Sequence, residues 1–178
     1  EESIMLTDIA KQQLRKAGWY EGRKIDLSKY EEAYAEVGCK LFPAARKFLE
    51  EYGDLDIQDK YISTATYENG DHFIVINRSL IDVAYCCYPR DLELEKMVDE
   101  LFHQKILRVG AIDHGNIDIY ISEDGRFFVN WHSVGLWAEN SDQLWNEYYG
   151  EDYGWATWND LKAGKGRTMF KKEIEKYL

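Results

Sequence analysis

Four histidines, His72, His103, His114 and His132, are spread along the 178-residue chain with no spacing that would place two imidazoles on one metal. Neither H-E-x-x-H, C-x-x-C nor G-x-S-x-G occurs. Of the three cysteines, Cys86 and Cys87 are adjacent and fall in an apolar run. In a strand such neighbours face opposite sides, so a small core residue is the expected role rather than a nucleophile. An odd number of cysteines makes a poor disulfide framework and suits a reducing compartment. Asp54 to Asp59 opens like a calcium loop, but Gln58 takes the third ligand position, Asp59 the required glycine and Ala65 the required glutamate. Glu123-Asp124 belongs to a turn, where Asp is favoured for backbone reasons. Gly164-Lys165-Gly166 lacks the length and strand context of a phosphate-binding loop. The spacing of reactive side chains therefore predicts no metal site, no cofactor and no catalytic residue.

The chemistry that does stand out is recognition. Leu136 to Leu161 holds six acids, no Lys or Arg, and seven aromatic residues. Trp and Tyr bury large area at low entropic cost, and carboxylates around them complement a basic partner and speed its docking. Trp145 and Tyr148 fit the inner face of one helix. Trp137, Glu139, Glu147, Tyr149, Glu151, Asp152 and Trp155 remain as candidate partner-binding residues. Their acids are expected at the surface, because interior carboxylates need partners. The alternative for the rings is a segment packed onto the core. From Lys162 to Leu178 the chain turns basic, with six Lys or Arg against two acids.

The whole chain carries a net charge of −11. That much negative charge repels phosphates and argues against direct nucleic-acid binding. With 45% hydrophobic and 31% charged residues the composition is that of a globular protein, and apolar runs such as Phe73 to Ile76 are far short of a bilayer span.

The elements that must position these residues read as follows. Apolar spacing predicts a helix over residues 4–17, stopped by Gly18. A second helix is expected over Ser28–Val37, with Ser28 and Glu31 as a capping box, and a third from Pro43 to Gly53. Residues 61–67 and 72–76 read as a hairpin about Asn69-Gly70, and a short strand is expected over Val83–Tyr88. Asp91 caps an expected helix over Leu92–Gln104. Three strands follow, Ile106–Ile112, Ile117–Ser122 and Arg126–His132, with Asp124-Gly125 turning the last pair. Ser141 caps a helix ended by Gly150, and a short helix is expected from Thr168. Helices and strands are partly segregated, which predicts an α+β fold with a largely antiparallel sheet flanked by helices. Residues 1–150 form the expected domain, with 151–178 as a C-terminal extension packed on it or continuing it.

Several motifs carry a resemblance. Leu14-Arg15-Lys16-Ala17-Gly18-Trp19-Tyr20-Glu21-Gly22-Arg23 resembles the A-G-W-x-x-G-R opening of the SUKH-superfamily immunity proteins, third subfamily. Phe48-Leu49-Glu50-Glu51-Tyr52-Gly53-Asp54-Leu55 resembles their F-L-x-x-Y-G-G-L step, with Asp54 in place of the second glycine. Arg108-Val109-Gly110 and Glu123-Asp124-Gly125-Arg126-Phe127-Phe128 resemble two later steps, in the right order, Arg108 standing where proline is usual. The resemblance spans about residues 4–150. It implies an α+β fold and a bacterial, cytoplasmic protein without catalytic residues. Such a protein neutralises a cognate toxin domain, often a nuclease, encoded beside it. Gly18, Trp19, Gly22, Arg23 and Gly125 are expected to be structural: glycines for unusual backbone angles, a buried indole, an arginine that caps or pairs. Read from the residues alone, a small metal-dependent hydrolase stays open as an alternative; the resemblance also leaves a regulatory scaffold open, and the oligomeric state is open too.

Overall fold

The computed structural model describes residues 4–86 and 89–178. Three helices come first: α1 (Asp8–Lys16), α2 (Ser28–Glu36) and α3 (Pro43–Tyr52). The Thr7 hydroxyl caps α1 by accepting from the Ala10 amide, and Pro43 opens α3 where its missing N–H costs nothing. Two long strands follow, β1 (Leu55–Thr66) and β2 (His72–Ile81), paired antiparallel across the Asn69-Gly70 turn. Next come α4 (Val83–Cys86) and α5 (Leu92–Phe102), the latter capped by Asp91 accepting from Leu94 N at 3.0 Å. A meander then runs through β3 (Ile106–Ile112), β4 (Ile117–Ser122), β5 (Phe127–Trp131) and β6 (Ser133–Ala138). The chain ends with α6 (Ser141–Tyr148), β7 (Asp152–Thr157), α7 (Trp158–Lys162), β8 (Thr168–Lys171) and β9 (Ile174–Tyr177).

All neighbouring strands are antiparallel, in the order β8-β7-β6-β5-β4-β3-β2-β1-β9. The last two strands thus sit at opposite edges, yet only Lys172 and Glu173 separate them. Three chain steps reach about 11 Å at most, so the sheet has to curl until its edges nearly meet. The α+β class and the antiparallel sheet are as the sequence predicts. Residues 151–178 supply both edge strands.

Alternation along the strands feeds two cores. Ile119, Ile121, Phe127 and Val129 face a core with Leu14, Tyr30, Phe48, Tyr52 and Trp145 from α1, α2, α3 and α6. Tyr120 and Phe128, their neighbours in sequence, turn the other way and pack with Leu94 and Val98 of α5, backed by Trp158 and Leu161 of α7.

Four local expectations are corrected. Val83–Cys86 is a helical turn, because the Asp82 carboxylate accepts from the Tyr85 amide at 3.2 Å and starts it; Cys87 and Tyr88 lie outside the described residues. Ser28 does not cap α2: Leu27 stands at the cap, Asp26 accepts from the Ser28 amide, and Glu31 pairs with Arg46 instead. Asn140, not Ser141, caps α6 by accepting from Gln143 N at 2.8 Å. Residues from Thr168 form strands rather than a helix, because β7 and β1 offer open edges that pair them.

Candidate partner-binding surface

The loop after α1 is fixed by its own chemistry. Gly18 and Gly22 hold φ of +100° and +79°, a region L side chains avoid, and so turn the chain sharply on both sides of Trp19. Trp19 is buried, and its indole N–H donates to the Glu51 carboxylate at 3.1 Å. Arg23 donates to the carbonyls of Glu51 at 2.6 Å and Gly53 at 2.8 Å, answering carbonyls that the end of α3 leaves unpaired. Gly125 closes the β4–β5 turn, its amide donating to the Ser122 carbonyl.

The acidic, aromatic segment is distributed over β6, α6, β7 and α7. Trp137, Trp145, Tyr148 and Tyr149 are buried; Tyr153, Trp155 and Trp158 are half-buried. Tyr153 stacks on Phe170 with centroids 5.5 Å apart, Trp158 meets Phe102, and Trp155 packs close against Gly135. The alternative of a packed segment therefore describes the rings. Near this segment the exposed rings are Trp131 (57% exposed) and Phe170 (44% exposed), which lie outside it in sequence.

Among the acids, Glu139, Glu151 and Asp152 are exposed. Glu147 is not, which corrects its expected surface position. It is 9% exposed, its carboxylate takes the Arg167 guanidinium at 2.8 and 3.0 Å, and it accepts from the Gly154 amide. A second internal pair lies nearby. Lys172, in the link between β8 and β9, donates to Asp59 Oδ2 at 2.8 Å and to the Tyr148 carbonyl at 2.7 Å. Its ammonium also lies over the rings of Tyr61, Tyr148 and Tyr177 at 4.9 to 5.7 Å. Burial pushes the Asp59 carboxyl above the ordinary carboxylate range, and Lys172 pulls against that. Arg167 and Lys172 went unnoticed in the sequence. The signal was there: a basic tail following an acidic segment is what a tail folded back onto that segment requires.

Among the described residues no group of three His, Cys, Asp or Glu side chains is placed to hold a metal, and no helix is long and apolar enough to cross a membrane. Cys86 is buried and donates to the Val109 carbonyl, and His72, His103 and His114 lie on separate elements or turns. Comparison with known families supplies the deciding observation: the sequence model of the SUKH-3 immunity protein family matches residues 6–149. The chain belongs to the SUKH-3 immunity protein family. The match begins just before α1 and ends at the close of α6, so it takes in the glycine-bounded Trp19 loop, the first six strands and α6. β7, α7, β8 and β9 lie beyond it and complete the sheet. Comparison with curated proteins and with solved structures finds no match.

Proposed function

We propose that the protein binds and neutralises a cognate toxin domain, a nuclease, in the bacterial cytoplasm, and that it does so by occlusion without chemistry. The family match over residues 6–149 carries this reading. The net charge of −11 supports a basic partner, since a nuclease surface built to hold phosphates is attracted to a surface that imitates their charge. Within the acidic segment, the residues available to such a partner are Glu139, Glu151 and Asp152, all exposed and none in an ion pair among the described residues. Trp137, Glu147 and Tyr149 serve the partner surface indirectly, by holding α6 and β7 in place.

The test is co-expression in a bacterial host with the toxin domain encoded next to this gene. Growth should be rescued by the wild-type chain. The triple variant Glu139→Lys, Glu151→Lys, Asp152→Lys should fold normally but associate with the toxin about tenfold more slowly, with a shallower salt dependence. Unchanged association in the folded variant would move the interface elsewhere. Failure of the wild-type chain to rescue growth would overturn the reading itself.

A further inference from the structure

The curl of the sheet leaves a cavity of about 600 Å³ beside the C-terminal end of α6, lined by both Asp59 and Lys172. Small-molecule sites occupy roughly 300–1,000 Å³. Six aromatic side chains wall it: Trp131, Trp137, Tyr148, Tyr153, Trp155 and Phe170. Trp131 and Phe170 are the exposed ones, and Trp137 and Tyr148 the buried ones. Such walls favour a flat apolar body that can stack or meet ring edges.

Two wall residues each carry one buried polar atom without a partner. Asp59 is 3% exposed and Trp137 7% exposed. Asp59 Oδ1 and Trp137 Nε1 have no hydrogen-bond partner among the described residues. Both atoms are closed off from the cavity, so a guest does not reach them and the walls recognise it through their rings. The charge of the guest is also constrained. Asp59 is matched by Lys172, and Glu147, another wall residue, by Arg167. A cationic guest would meet Lys172 and an anionic one Asp59, with no unmatched charge to repay it.

We propose that this cavity is a binding site for a small, neutral, planar aromatic molecule. The site requires no toxin, so it stands or falls separately from the immunity reading.

The probe is 2-naphthol, titrated calorimetrically into the full chain at pH 7, with the indole N–H resonances followed by NMR. One site per chain should saturate, and the Trp137 indole resonance should shift. The same ring carrying a negative charge, 2-naphthoate, should bind at least about tenfold more weakly. Ser133, an exposed residue on the cavity wall, offers a plug. Ser133→Trp should abolish binding while the circular dichroism spectrum stays unchanged. Should that variant misfold, Phe170→Ala, which removes an exposed wall ring, should weaken binding several-fold. The proposal is overturned by the absence of saturable 2-naphthol binding, by equal affinity for 2-naphthoate, or by undiminished binding in the folded wall variants.

Discussion

Lys172→Met probes how the curled sheet is held shut. The substitution keeps most of the stem's apolar volume and removes the ammonium. The Asp59 carboxylate loses its ion pair at 2.8 Å, the Tyr148 carbonyl loses a donor at 2.7 Å, and three rings lose a cation. Asp59 is 3% exposed, so water cannot replace the lysine. Stranding one partner of a buried pair costs about 3–5 kcal/mol. Against a total stability of about 5–15 kcal/mol, that is a large fraction. The loss should depend on pH, and its sign is fixed. The folded Asp59 carboxyl already titrates above its unfolded value because of burial, and Lys172 opposes that rise. A raised group contributes stability that is complete below the unfolded pKa, about 3.9, and is lost as pH rises through the folded one. Removing Lys172 raises the folded value further, so the gap between variant and wild type should be widest at pH 7 and shrink toward pH 4. Urea unfolding followed by circular dichroism at both pH values measures it. Adding Asp59→Asn to Lys172→Met should recover more than half of the loss, since the stranded charge is gone. A loss below about 1 kcal/mol at pH 7, where a buried pair should cost several times that, would refute the reasoning. So would a loss that is equal at both pH values.

Two further outcomes follow from packing. Trp19→Ala should destabilise the fold by about 3–5 kcal/mol, because it empties a buried site and leaves Glu51 without its indole donor; thermal melting reads the loss. Gly135→Ala should cost about 1–3 kcal/mol, since its Cβ would fall 2.6 Å from the Trp155 ring, and a near-ultraviolet circular dichroism change should report the displaced indole.

The parts of the fold legible in the sequence are those governed locally. The β4–β5 hairpin follows from Asp124-Gly125 between alternating apolar runs, and α3 from Pro43 at its start and Gly53 at its end. The motif around Gly18 and Trp19 pointed to the family and to a buried indole, and both are found. What escaped depends on contacts far apart in the chain. Thr168–Lys171 has no strong intrinsic preference and becomes a strand because β7 leaves an edge open beside it. Only His132, with a φ of +61°, separates β5 from β6, and a histidine carries none of the usual signals of a hairpin turn. Glu147 was assigned to the surface on the rule that acids are exposed. The rule has its own exception in the same sequence: Arg167, 20 residues on, supplies the charge that lets Glu147 be buried. For the same reason the aromatic segment looked like an interface when most of its rings close the core.

The most direct test of the central claim is the fate of the toxin. A cognate toxin domain is mixed with the purified chain, the complex is isolated by gel filtration, and the two are separated again in denaturant. The account predicts a stable, catalytically silent complex. The recovered toxin should have an unchanged mass and regain full activity on refolding. A toxin that is cleaved or covalently modified, or one that never forms a complex yet loses activity, would contradict neutralisation by binding alone.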